Sequence, residues 1–203
     1  MITIHGSATS GNCYKPRLLL AHLGRPFRHV EVDLAAGGAK TPDYLAMNPD
    51  GKVPLLVLED GRLLAESNAI LCFLAEGTRF LPDEAYARAL VLQWLFFEQY
   101  SHEPAIAVRR ALMVYPHRRA QATPERMEAL LVAGNRALGV MERQLERAPF
   151  IAGGAMTVAD IALYAYTHDA QAGGFDLAAF PAVSAWVARV ADQPGHRPID
   201  WVG

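Results

Sequence analysis

Apolar and polar positions change their period along the chain. The apolar run MITIH opens it, a polar stretch SATSGNCYKP follows, and RLLLAHLG comes next. The first run reads as a strand. RLLLAHLG reads as one face of a helix closed by Gly24, where a residue without a Cβ takes the left-handed conformation freely. FRHVEV alternates with period two and predicts a second strand, so a β-α-β unit with parallel pairing is expected. In TPDYLAMNP, Thr41 reads as an N-cap with Pro42 at the first helical position, and Asn48-Pro49 as the stop. VPLLVLEDGRLLAES predicts a hairpin turning at Asp60-Gly61. Helix signals resume at Ser67 and run to Gly77.

After Gly77 the pattern holds no strand, and helix formers dominate. Pro82 and Asp83 are placed to start a long helix through YARALVLQWLFFEQY, which Pro104 should kink or end. Behind Thr123-Pro124, the residues Met127, Leu130, Leu131, Gly134, Leu138, Met141 and Leu145 recur at helical spacing as one apolar stripe. MTVADIALYAY predicts a capping box between Thr157 and Asp160, with Met156 stapled to Ile161. FPAVSAWVARVADQPG reads as a last helix. The pattern predicts an α/β domain over residues 1–78 and an all-α domain over residues 84–203.

Composition narrows the function. A chain of 203 residues buries a core without staples. Its two cysteines, Cys13 and Cys72, make neither a CxxC pair nor a metal set nor a disulfide framework, which predicts a reducing compartment and no metal. No signal-peptide pattern and no apolar run of about 20 residues is present, so a soluble cytoplasmic protein without membrane contact is expected. A net charge of −2 supplies no basic field for nucleic acid. Arg109-Arg110 and Arg118-Arg119 read as solvated helix faces.

Three places in the first domain carry chemistry. Proline at the start of an apolar strand in GKVPLL cannot donate to a sheet. A cis bond at Val53-Pro54 would turn the Val53 backbone outward, ready to pair with an extended peptide. Glu66 and Ser67 precede the domain's last helix. They read either as plain N-caps or as a site where a helix N-terminus takes a carboxylate and a glutamate takes an ammonium. Ser10, Asn12 and Cys13 lie at another helix start, as caps over a buried cysteine or as donors aimed at a thiolate.

Together, SGNCYKPRLLL, NPDGKVPLLVLEDGRLLAESNAIL and MTVADIALYAY resemble the glutathione S-transferase family, and the resemblance covers essentially the whole chain. The middle segment is the specific one, because NP, GKVP and ES occur there at the family's spacing. The resemblance implies an α/β thioredoxin-like N-terminal domain followed by an all-α C-terminal domain, a homodimer, and glutathione as thiol substrate. It further implies that Val53, beside Pro54, pairs with the cysteinyl backbone of glutathione. Glu66 and Ser67 would hold the γ-glutamyl end, and Lys52 or Lys40 would approach the glycine carboxylate.

No tyrosine follows the first strand closely, so the tyrosine-type mechanism is not expected. The S-x-x-C pattern looks like the serine-type transferases, with Ser10 activating the thiol; Asn12 is a second candidate and Cys13 a third. The expected activity is conjugation of glutathione to a small hydrophobic electrophile, a detoxification reaction, in a cleft lined by the helical domain. Tyr100, His102 and Arg109 are the candidate electrophile-facing residues. The alternatives are a glutathione-dependent thiol-disulfide reductase or peroxidase using Cys13, and a non-catalytic protein-binding module.

Overall fold

The computed structural model describes residues 1–203. They form two compact units, Met1–Glu76 with Pro194–Gly203, and Gly77–Gln193. The sequence pattern carries the helical domain to residue 203, whereas the last ten residues belong to the first unit.

In the first unit, β1 (Thr3–Gly6) is followed by α1 (Gly11–His22) and β2 (Arg28–Glu31). Then come α2 (Pro42–Met47), β3 (Leu55–Val57), β4 (Leu63–Ala65) and α3 (Ser67–Ala75). The sheet order is β2-β1-β3-β4. β1 runs parallel to β2, as a helical crossover requires, and antiparallel to β3, which pairs with β4 through the turn at Gly61. The ends of α1 and α2 follow their sequence signals. Arg25 N–H reaches Leu20 O at 3.0 Å and Gly24 N–H reaches Ala21 O at 3.1 Å, closing α1 in a Schellman motif around a left-handed Gly24. Thr41 caps α2 by accepting the Tyr44 N–H, with Pro42 in the first turn.

One expectation changes. RLLLAHLG predicts a single apolar face, yet nine residues of α1 between Gly11 and Leu20 are buried, Lys15 and Arg17 included. Gly6 of β1 lies against Cys13, α3 packs along the helix, and Pro194–Gly203 returns beside it through bonds to Tyr14, Arg17 and His22.

In the second unit, α4 (Ala85–Phe97) starts at Glu84, whose carboxylate accepts the Tyr86 and Ala87 N–H groups, two residues later than Pro82-Asp83 suggests. α4 ends at Phe97, ahead of Pro104, as the proline leads one to expect. The chain passes through a π-turn at Glu98–His102 into α5 (Glu103–Val114), with Pro104 in the first turn of α5, where its missing N–H costs little. α6 (Pro124–Leu145) starts on Thr123 and presents its stripe, buried at Gly134, Leu138, Met141 and Leu145. α7 (Val158–Thr167) carries the capping box of Thr157 and Asp160, and α8 (Pro181–Ala191) is the last helix. No helix is long and apolar enough to cross a membrane.

Candidate functional site

The site is built where α1 and α3 begin. β1 and β3 are neighbours in the sheet and α1 packs on α3, so the loop after β1 and the turn after β4 arrive side by side.

Ser10 is the N-cap of α1, and its Oγ accepts the Cys13 N–H at 3.4 Å. A capping hydroxyl uses a lone pair, so its own proton stays available, and no acceptor in the chain takes it. The Cys13 side chain lies beneath the sheet: a Cβ on Gly6 would stand 2.8 Å from its sulfur. That thiol has no accessible surface, and burial pushes its pKa up against the pull of Ser10, the Ser7 N–H and Arg17. It is a neutral packing group in the folded protein.

Asn12 and Ser67, assigned to separate roles by the sequence, touch. The Ser67 hydroxyl donates to Asn12 Oδ1 at 3.2 Å and accepts from Lys15 Nζ at 3.2 Å. Lys15 Nζ also donates to Asn68 Oδ1 at 3.2 Å. Lysine is donor-only, so its bond leaves the Ser67 proton to point at Asn12 and fixes the direction of the chain of bonds. A buried ammonium and the N-terminus of α3 therefore bring positive potential to one place.

Glu66 takes φ 68° and ψ 113°, a conformation that non-glycine residues rarely adopt. Its side chain makes no capping bond, which removes the plain N-cap reading for this residue, and the carboxylate is exposed and meets no donor of the chain. A strain of about 1–3 kcal/mol held at such a position is a mark of functional sites.

The Val53-Pro54 bond is cis. Neither the N–H nor the C=O of Val53 is hydrogen-bonded within the chain. The preceding carbonyl, Lys52 O, is gripped by Tyr44 OH and Asn48 Nδ2, both at 2.8 Å. Burial pushes the Tyr44 phenol up to about 12, so it remains a donor. Lys40 and Lys52 converge on Asp50: Lys40 Nζ donates to its carbonyl at 3.0 Å and Lys52 Nζ meets its carboxylate at 2.9 Å, both at the surface.

The three electrophile candidates do not converge. Tyr100 is almost fully exposed on the π-turn. His102 is completely buried, with Nε2 2.8 Å from Thr167 Oγ1, so it packs inside the helical unit. Arg109 binds the carbonyls of Met127 and Gly173 and lies over the Phe175 ring. Local hydrogen bonding occupies the two residues that were expected to face a ligand.

Lys15, Asn68, Tyr44 and Arg17 were not legible as site residues. For Lys15 and Arg17 the available signal was KPRLLLAHL, whose apolar continuation makes the helix buried all round and carries its cations inside.

Family models bear on the same segments. The model described as glutathione S-transferase, N-terminal domain, matches residues 9–76, and the C-terminal domain model of that family matches residues 105–194. Disulfide-bond oxidoreductase YfcG of Escherichia coli is 32% identical over 194 residues, 92% of this chain and 89% of that protein. The crystal structure of a glutathione S-transferase from Pseudomonas fluorescens is 50% identical, covers 98% of each chain and superposes with a TM-score of 0.94. The glutathione transferase URE2P6 of Phanerochaete chrysosporium, in complex with oxidized glutathione, is 26% identical over 96% of this chain and 92% of that one, with a TM-score of 0.86.

Proposed function

Since the chain belongs to the glutathione S-transferase family, we propose that it lowers the pKa of the glutathione thiol and delivers the thiolate to a hydrophobic electrophile. The observation that carries this reading is the Ser10 hydroxyl, at the N-terminus of α1 with its proton uncommitted. A thiol of pKa about 8.5 is only about 3 per cent ionised at pH 7, and bringing it to roughly 6.5 costs about 2.7 kcal/mol. One hydrogen bond to a charged sulfur contributes about 1.5 to 3 kcal/mol, and the helix N-terminus adds to it. The thiol proton passes to solvent. The thiolate forms a carbon–sulfur bond as a carbon–halogen bond breaks and halide departs with the electron pair, or as an epoxide C–O bond opens and its oxygen takes the pair and then a proton from solvent. Ser10 donates a hydrogen bond throughout and transfers no proton.

The open Val53 N–H and C=O suit the cysteinyl backbone of glutathione. Ser67 at the α3 N-terminus, backed by Lys15, suits the γ-glutamyl carboxylate, and the unengaged Glu66 carboxylate suits its ammonium. Lys40 or Lys52 suits the glycine carboxylate. The same reading makes the protein a cytoplasmic homodimer acting in detoxification.

A second reading is favoured by the 32% identity to a disulfide-bond oxidoreductase. The buried, neutral Cys13 is a poor nucleophile, so glutathione itself would do this chemistry. A glutathione thiolate attacks a disulfide sulfur and expels one thiolate; a second glutathione then resolves the mixed disulfide, leaving two thiols and one oxidised glutathione.

The test is turnover of the purified protein with glutathione and haloarenes, epoxides, disulfides or hydroperoxides. Conjugation of a haloarene or epoxide is expected; turnover of disulfides alone would install the second reading, and failure to bind immobilised glutathione would reject both. Ser67→Ala and Glu66→Ala should each weaken glutathione about ten- to hundredfold by calorimetry, the worth of one charge-assisted hydrogen bond. Unchanged affinity with a lowered melting temperature would reduce both residues to structural roles.

A further inference from the structure

Arg17 has no accessible surface, and every hydrogen bond it makes runs to a backbone carbonyl. Nε donates to Cys13 O at 3.2 Å within α1. Nη2 is shared between Ala8 O at 2.8 Å and Ile199 O at 3.0 Å. Ala8 is held on its other side too, because its N–H, in the preceding peptide, donates to the Glu31 carboxylate at 3.0 and 3.3 Å. His29 Nε2 meets that carboxylate at 2.8 Å. Burial pulls the Arg17 pKa down, while Cys13, Glu31, Tyr14 and Asp200 around it pull the other way; a guanidinium stays charged under such shifts.

The segment that supplies Ile199, Pro194–Gly203, is fastened along α1 and against Phe27, the residue before β2. Tyr14 OH donates to Arg197 O, and His22 Nδ1 donates to Pro194 O at 2.9 Å. Trp201 sets its edge against Phe27 with ring centroids 5.5 Å apart. Gly195 backs so closely onto His22 that a Cβ there would stand 3.0 Å from His22 Cα. The two family models match residues 9–76 and 105–194, so all but the first residue of this segment lies outside both.

We infer that Pro194–Gly203 works as part of the thiol site: through Arg17 it fixes the Ala8 peptide, and through Ala8 it holds Thr9 and Ser10 where the hydroxyl is presented. The inference rests on the proposed role of Ser10. Arg17 is a positioning residue that never touches glutathione. The physical reason is the shared nitrogen, because one rigid guanidinium ties two carbonyls from segments 191 residues apart in sequence. Nη1 already lacks a partner, so releasing Ile199 further weakens the satisfaction of a buried cation, and the Ala8 bond loosens with it.

Tyr14→Phe combined with Trp201→Ala, in the full chain, removes two fastenings and leaves Arg17 and the loop intact. Amide hydrogen exchange at residues 8–12 should quicken about tenfold, the equivalent of one hydrogen bond. The pH profile of kcat for conjugation should move to higher pH by about half a unit, with the KM for glutathione nearly unchanged. Either single substitution tests the same coupling if the pair does not fold. Arg17→Lys keeps the charge but only one donor nitrogen, and should recover part of what Arg17→Met loses. Faster exchange confined to residues 194–203, or a quickened loop with an unmoved pH profile in an active enzyme, would overturn the inference. Exchange needs no turnover, so a quickened loop in a protein that conjugates nothing would uphold the coupling and reject the proposed function instead.

Discussion

Ser10 and Cys13 stand three positions apart, and their fates differ by which atom remains available. The Ser10 oxygen accepts a helix N–H and keeps a proton to donate; the Cys13 sulfur is packed under Gly6 and raised in pKa by burial. Ser10→Ala should therefore move the pH profile of conjugation up by about one to two units, the worth of a hydrogen bond to a charged sulfur. It should also lower stability by about 1 kcal/mol through the lost cap. Cys13→Ala should leave the pH profile where it is. In the native protein Cys13 should resist a disulfide reagent at pH 8 and react only on unfolding; rapid native labelling, or glutathione linked to Cys13 during turnover, would return the cysteine to the mechanism. The sign for stability follows. The folded thiol holds its proton to higher pH than the unfolded one, so its contribution is fully present below about pH 8.5 and is lost as pH rises toward the raised native value. Residues with local grammar were legible: the proline before β3, Glu66-Ser67 before α3, and Thr157 before α7. Lys15 and Arg17 were not, since a polar side chain in isolation reads as solvated and its burial depends on partners distant in sequence; His102, read as facing an electrophile, is buried against Thr167 for the same reason.

Among elements, α6 shows how period and packing divide the information. Its stripe and its Thr123 cap are legible because both recur at fixed spacing, but the reason for glycine at position 134 is tertiary: a Cβ there would stand 2.3 Å from Phe175 Cε1. Gly139 lies in the same helix with nothing nearer than 3.8 Å. The two glycines predict opposite signs for one substitution. Gly139→Ala should stabilise by about 0.4–1 kcal/mol, from helix propensity and unfolded-chain entropy. Gly134→Ala should destabilise by about 1–3 kcal/mol less that gain, because the ring must move in a packed core. Melting temperatures check this at about 2–4 °C per kcal/mol for a chain of this size. Equal shifts of the same sign would show that the Phe175 ring gives way freely. The π-turn at Glu98–His102 was illegible for the converse reason: a proline read as a breaker became the start of α5 once one wide turn absorbed the offset.

At the scale of the whole molecule, the order of strands and helices was legible, while the return of Pro194–Gly203 to the first unit was not, because nothing periodic announces it. A second whole-molecule property rests on what stays uncovered. Leu92, Phe96 and Tyr100 follow one another at four-residue spacing along α4 and the π-turn, and they are 37%, 71% and 88% exposed. A row of large apolar side chains facing water on one helix favours association, and closed two-fold pairing is the commonest way to cover it. This accounts for Tyr100 better than a place against the electrophile does. Sedimentation at micromolar concentration should return twice the mass of one chain. Phe96→Glu puts a charge at the centre of the row and should shift the equilibrium to single chains without altering the far-ultraviolet spectrum, since that position is already largely in water. A wild-type particle of one chain's mass would remove the homodimer. A dimer indifferent to Phe96→Glu would keep it and move the interface to another face.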